Sequence, residues 1–489
     1  MLIKFFSILS ILPGLLILFK MKRKRDLTCI DILLLFQTLY VAIVPIIGNT
    51  EKVIPIIRDD ELVQCFVFII YNIFAYFLII ADKIIVSYTN LHGTPYHFTE
   101  YVRNWILKNR LNPNTIFFLI FLSIIQLYIA QMDFERIAEF GGNISQDQER
   151  ILQSEYNTPL KMFLASGIIT IRLYVMMLLC AYYYQWKKGL LHAKSKFWFV
   201  LLIILECIIH LQIPRIQFLE TLFFLFFVFY ALNKEKLSIW SVSKYIVLLW
   251  LSVAIVLPLI QGVKLVRRVL SDNANYSNFM EVVQTGAMMM INGEVVYEDA
   301  DNKGERMWDL YQSLGIGVKS KYEGNGTLTM YAILHSIPRF IYPEKPNEGS
   351  QSLMEKYSGM NHDLSDSLLM MGVMENKILG PLLGVMYYLI VFSSLIIVFQ
   401  ILKVFIPHVM CNPVAVSSFF TWLDHIEISF DGWVSSVIGF VLWYLFFYIL
   451  IHLFLFFHVH FTKNNHYART TFAKAYKDKI YQLTEYFYH

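Results

Sequence analysis

The run Ile337-Pro338-Arg339-Phe340-Ile341-Tyr342-Pro343-Glu344-Lys345-Pro346 sets a guanidinium and an ammonium among three prolines. Each proline fixes its own φ and pushes the residue before it out of the helical region. The pattern predicts a stiff, aromatic-flanked turn rather than a floppy arm. Arg339 offers a planar fork suited to bidentate phosphate contact, and Lys345 offers a point charge. The alternative is a solvated turn that only shapes its loop.

A second arginine lies in His210-Leu211-Gln212-Ile213-Pro214-Arg215-Ile216-Gln217-Phe218-Leu219-Glu220, where two apolar runs join with almost no loop. Pro214 favours a helix break. Arg215 is therefore expected at a membrane boundary, where a cation is costly unless it is paired or snorkels. It reads either as an interfacial arginine paired with Glu220 or as an anion site at the mouth of a bundle. Lys264, Arg267 and Arg268, in VKLVRR, suit an assisting role or a basic interfacial anchor.

A general base must reach the proton it abstracts. The candidates are His362, Asp363 and Asp366 in NHDLSD, with Glu375 behind them. Acids in a loop otherwise serve only to solvate it. Asp299-Ala300-Asp301 matches a metal-binding tripeptide but reads better as a solvated acidic turn, because short matches are unspecific. His458, His460 and His466 are too loosely grouped for a metal site. Glu206 and His210 stand four apart in one apolar run and Arg172 lies inside another. Ionisable groups at such depth form either a buried structural triad or a proton path.

These residues need elements to position them. Of 489 residues, 57% are hydrophobic and 16% charged, against roughly 45–50% apolar and about 25% charged in soluble domains. That balance excludes an ordinary soluble enzyme, a disordered chain and a collagen-like fibre. The net charge of +4 is too small for a nucleic-acid footprint. Five cysteines lie in or beside apolar runs and imply neither a disulfide framework nor zinc.

A spanning helix needs roughly 17–25 mostly apolar residues. Such runs occur near 3–19, 29–48, 62–81, 115–132, 160–184, 197–213, 216–232, 245–262, 379–402, 413–430 and 433–457. The tenth is interrupted by Asp424, His425 and Glu427 and reads alternatively as a re-entrant or interfacial piece. The first is followed, not preceded, by KMKRKR, the order of a retained anchor rather than a removable signal peptide.

Lys and Arg concentrate in 20–25, 82–113, 185–196, 233–244 and the tail after 457, which the positive-inside rule assigns to the cytoplasm. The acidic segment 133–159 falls outside. The expectation is an all-α, polytopic bundle of about 11 spans with an external N-terminus. Residues 1–262 hold spans one to eight, and 263–378 form a large folded external loop with amphipathic pieces at Thr327–Tyr342 and Gln351–Tyr357. Residues 379–457 hold spans nine to eleven, and 458–489 form a basic tail suited to anionic lipid.

The block IPRFIYPEKP in a large outer loop resembles the signature of the Wzy-type polysaccharide repeat-unit polymerases, which include the bacterial O-antigen polymerases. The resemblance extends to Arg215, since that family usually has an Arg at the outer end of a span, often as Ser-Arg-Gly; here the tripeptide is Pro-Arg-Ile. Asp366 through Asn376, followed by Gly380 and Gly384, is similar to the family's stretch leading into the next span. Glu375 stands displaced from Gly372, where the family tends to have Gly-Glu.

The resemblance implies a GT-C-like membrane glycosyltransferase in the bacterial inner membrane, with its active site on the periplasmic face. Its substrates would be oligosaccharides on undecaprenyl pyrophosphate, used without a cofactor or metal. The growing glycan of O-antigen, capsule or exopolysaccharide would pass to the terminal sugar of another lipid-linked unit, releasing undecaprenyl pyrophosphate. Arg215 and Arg339 would hold the donor pyrophosphate, with Lys345, Arg267 and Arg268 assisting. Partners would include membrane lipids, a chain-length regulator and a flippase, and no nucleic acid. Two other readings remain open: a ligase using the same donor, and a flippase or transporter of the same lipid-linked sugars.

Overall fold

The structure, a computed structural model, describes residues 2–48, 53–88, 93–109, 115–140, 167–190, 193–212, 215–234, 309–337, 367–424 and 430–461, with single positions at 50, 342, 344, 350, 353, 354 and 356. Among these residues all regular structure is helical and no strand occurs. The N-terminal helices are α1 (Leu2–Leu9), α2 (Leu12–Lys22), α3 (Cys29–Thr38), α4 (Glu61–Tyr88) and α5 (Phe98–Lys108). The middle of the chain forms α6 (Thr115–Phe140), α7 (Ile168–Lys187), α8 (Ala193–Gln212) and α9 (Arg215–Asn233). Three shorter helices follow, α10 (Asp309–Lys319), α11 (Thr327–Ser336) and α12 (Leu368–Glu375). The chain then forms α13 (Gly380–Phe405), α14 (Asn412–Asp424) and α15 (Trp433–Phe461).

Among the described residues, six stretches are long and apolar enough to cross a membrane: Leu2–Lys22, Cys29–Ile46, Glu61–Ser87, Ile168–Lys187, Gly380–Phe405 and Trp433–Phe454. The chain is a multi-pass membrane protein on that count. Thr115–Ile129 and Glu220–Asn233 are shorter apolar segments, while the expected span 245–262 lies outside the described residues.

Local chemistry sets the boundaries. Thr28 caps α3 through a capping box in which its side chain accepts from the Asp31 amide and Asp31 accepts from the Thr28 amide. That reciprocal pair satisfies two amides left over at a helix start. Pro13 falls in the first turn of α2, where its missing N–H costs nothing. Ile337 is extended after α11, as expected of a residue preceding proline. The amphipathic piece predicted to run to Tyr342 is therefore a helix only to Ser336.

The tenth run differs from its expectation. Over 413–430 a span was predicted; the helix is the 13-residue α14, preceded by a 3-10 turn at Val409–Cys411. Thirteen residues reach only about 20 Å. Yet Val414, Ala415, Val416, Phe419, Phe420 and Leu423 are wholly buried, packed against α3, α7 and α15. A helix enclosed by protein needs no bilayer-matched length. Its segment starts where Trp105 Nε1 donates to the Val409 carbonyl and reappears at Phe430, whose ring lies 4.9 Å from that of Tyr387. It crosses the core rather than the lipid-facing wall.

The bundle has two distinct ends. At one, called upper here, α10 packs on α4 and α12, Lys319 pairs with Asp60 at 3.0 Å, and the Ile54 amide donates to Gln312 at 2.9 Å. At the lower end Lys20 pairs with Asp31, Lys234 pairs with Asp26 at 2.5 Å, and the Leu27 amide donates to Thr99 at 2.8 Å. Segments assigned by charge to opposite sides of the membrane thus gather at opposite ends. Helix α9 begins at Arg215 and reaches the lower end at Lys234, so nineteen residues separate its start from that end, about 28 Å of helix.

Candidate functional site

The upper end is built on a helical hairpin, α12 followed by α13. A Cβ on Gly372 would fall on the Gly380 carbonyl, and one on Gly380 would lie 2.6 Å from Val373 Cα. The two backbones touch because neither glycine carries a side chain. Small residues permit this approach between membrane helices, where van der Waals packing is a main driving force. All eight residues of α12, Leu368 to Glu375, are buried.

Glu375 ends that hairpin's first helix and caps a different one. Helix α11 starts at Gly326, which adopts φ of 95° and has no side chain with which to cap. Glu375 supplies the missing acceptor. It accepts from the Gly326 amide at 2.6 Å, from the Thr329 amide, and from Thr329 Oγ1 at 2.6 Å. Since the Thr329 proton goes to Glu375, Tyr387 on α13 donates its own hydroxyl proton to Thr329 Oγ1 at 2.6 Å. The Asn325 amide donates to the Glu375 carbonyl and the Gly324 amide to that of Met374, each at 3.0 Å.

A carboxylate at a helix N-terminus meets both free amides and the positive end of the dipole. Glu375 is 1% exposed, with its oxygens turned into the fold. The geometry suits an anchor for α11 better than a base facing a substrate.

Beside it Lys377 donates to the Gly317 carbonyl. Burial lowers the Lys377 ammonium below the usual lysine range, against the opposing charge of Glu323. Asp60 is held below the usual carboxylate range, chiefly by its hydrogen bond from Lys319. Both contacts fasten α10 to the bundle.

The second polar constellation lies inside the bundle, on four helices. Arg172 of α7 is fully buried and pairs with Glu220 of α9 at 2.7 Å. Glu206 of α8 meets two residues of α6, Ser123 Oγ at 2.5 Å and Gln126 Nε2 at 3.2 Å, both at its Oε1. Ser123 Oγ also lies 3.0 Å from the Leu119 carbonyl. Buried ions are expensive unless paired and hydrogen-bonded, and here both kinds of satisfaction occur within one layer.

Of the residues the sequence reading grouped as a triad or proton path, Arg172 pairs with Glu220 and Glu206 meets Ser123 and Gln126, while the His210 side chain lies outside the described residues. Glu220, which the sequence reading offered to Arg215, meets Arg172; the Arg215 side chain lies outside the described residues. Arg215 is the first residue of α9 by its backbone. Arg339, Lys345, Lys264, Arg267, Arg268, His362, Asp363 and Asp366 lie outside the described residues, so their convergence with Arg215 is not part of the geometry above.

Sequence reasoning passed over Ser123 and Gln126, although two polar residues three apart in the apolar run FLSIIQLYIA were a usable signal. It also missed Thr329 and Tyr387, whose role depends on a glycine cap elsewhere. Among the described residues no group of three His, Cys, Asp or Glu side chains is placed to hold a metal ion. No family model matches the chain, and no curated protein or solved structure matches it.

Proposed function

We propose that the chain is a membrane glycosyltransferase of the Wzy type, polymerising oligosaccharide repeat units carried on undecaprenyl pyrophosphate. In this reading the bundle has about 11 spans, counting 245–262 and the short α14, and the upper end faces the periplasm. One observation carries it beyond the motif. The chain bearing Arg215 begins α9 far from the lower end, and α11 ends two residues before Pro338 of the Pro-Arg block while anchored at the upper end by Glu375. The helices described next to the two cationic segments, α9 and α11, support a reading in which both cations serve one site at that end.

The chemistry follows from what leaves. Breaking the bond between donor sugar and pyrophosphate builds negative charge on the departing oxygen, and fixed cations stabilise it. Arg215 and Arg339 supply bidentate contacts, with Lys345, Arg267 and Arg268 as further charges. The acceptor hydroxyl loses its proton to His362, Asp363 or Asp366. Glu375, already committed to α11, serves by holding the loop.

The test supplies purified protein with one lipid-linked repeat unit. A polymerase lengthens it; a ligase does not, and a flippase moves it across the bilayer unchanged. Loss of lengthening is expected for Arg215→Ala and for Arg339→Ala. Unaltered polymer length in both variants overturns the assignment.

A further inference from the structure

Helix α2 ends in a chain reversal that a glycine usually makes. The Arg25 amide donates back to the Lys20 carbonyl at 3.2 Å and the Lys24 amide to that of Met21 at 2.9 Å, the paired bonds of a Schellman turn. Its left-handed position is filled by Lys24, with φ of 60°. Glycine adopts that conformation without strain, and a residue with a Cβ does not. Lys24 is one of four consecutive exposed cations, Lys22, Arg23, Lys24 and Arg25. The negative end of the helix dipole favours their sign, but it does not account for a lysine in a glycine's place.

The turn is fastened from two other helices. Tyr230 of α9 donates its hydroxyl to the Arg25 carbonyl at 2.7 Å, while Lys20 pairs with Asp31 and Lys234 with Asp26 on either side of it. Four like charges held in one turn repel one another, and an anion relieves that repulsion. On the same helix Leu12, Leu15, Leu16 and Phe19 follow at helical spacing, each about half exposed. Arg23 continues that stripe, its guanidinium 4.4 Å from the centre of the Phe19 ring. The exposed apolar face of a helix in a membrane-crossing stretch thus runs directly into the cations.

We propose that this corner of the lower end binds an anionic phospholipid. Its phosphate is held by Arg23 and Lys24, with Lys22 and Arg25 as further charges, and an acyl chain lies along the stripe from Phe19 to Leu12. Arg23 supplies the paired donors that suit phosphate oxygens. The apolar stripe favours a lipid over a soluble phosphate, and the cluster of cations favours a headgroup that carries no cation of its own.

Native mass spectrometry of the full chain in detergent, titrated with phosphatidylglycerol, tests this. Phosphatidylcholine and glycerol phosphate should not compete. Lys24→Gly removes one charge and gives the turn its favoured residue. Its melting temperature in phosphatidylcholine nanodiscs should hold or rise, while phosphatidylglycerol affinity falls about fivefold, the usual contribution of one basic residue at an anionic surface. Adding Arg23→Gln should bring the loss to about 25-fold. Lys187→Gln with Lys188→Gln, two exposed cations at the end of α7, should leave the affinity unchanged. Equal losses from the two pairs of substitutions overturn the proposal, as does competition by either phosphatidylcholine or glycerol phosphate. An unaltered affinity in Lys24→Gly, or failure of that variant to fold, overturns it as well.

Discussion

Glu375 and Thr329 meet through two hydrogen bonds, one to the threonine amide and one of 2.6 Å to its hydroxyl. They lie 46 residues apart, at the end of one helix and in the first turn of another. The relationship resembles an N-cap whose side chain has been moved to a different helix. It makes the position of α11 depend on the α12–α13 hairpin rather than on its own sequence.

Glu375→Ala should therefore detach α11 before it affects anything else. Two amides and a hydroxyl lose their acceptor, a change of about 1–3 kcal/mol for an unsatisfied buried group. Hydrogen exchange over 324–336 should quicken, with the spanning helices unchanged. Thr329→Val should give a smaller effect in the same segment. Equal protection in wild type and Glu375→Ala would show that the carboxylate is not the anchor.

Breaking the Arg172–Glu220 pair on one side only should be severe. Removing one member of a buried pair costs roughly 3–5 kcal/mol, and Arg172→Ala takes from Glu220 its described ion-pair partner. A double replacement, Arg172→Met with Glu220→Leu, removes both charges and should recover much of the lost stability. Thermal unfolding in detergent, followed by tryptophan fluorescence, separates the cases. Similar melting temperatures for the single and double variants would deny the pairing.

The helical hairpin gives a graded steric prediction. Gly372→Ala drives a methyl group onto the Gly380 carbonyl, whereas a Cβ on Gly384 lies 3.1 Å from Leu369 Cα. The first demands that two backbones separate, whereas the second asks the Leu369 backbone to give by only a few tenths of an ångström. Gly372→Ala should sharply reduce folded protein in the membrane, and Gly384→Ala should lower the melting temperature by a few degrees. Size-exclusion profiles of the two variants check the order; a reversed order would mean that the hairpin contact is misassigned.

Much of this architecture was legible in local patterns. Long apolar runs become helices because backbone groups in lipid must be satisfied within their own segment, so α2, α4, α13 and α15 could be read directly. The proline at 338 ended α11, and the capping residues Thr28 and Asp31 started α3. The arginine and glutamates of the bundle interior announced themselves by standing in apolar surroundings. Pairing was another matter. Arg172 chose Glu220, 48 residues away, and Glu206 went to Ser123 and Gln126 on α6.

Those choices depend on how each helix is rotated about its axis and which neighbour it meets, and neither is encoded in the period of one segment. The same holds for Glu375, a plausible base in the sequence, whose oxygens are drawn into α11 by a glycine that cannot cap itself. Composition and periodicity determined that this chain is a helical membrane bundle and where its charges would be costly. Only packing decided which partners made those charges tolerable, because a buried ion is satisfied by whatever the fold brings within about 3 Å.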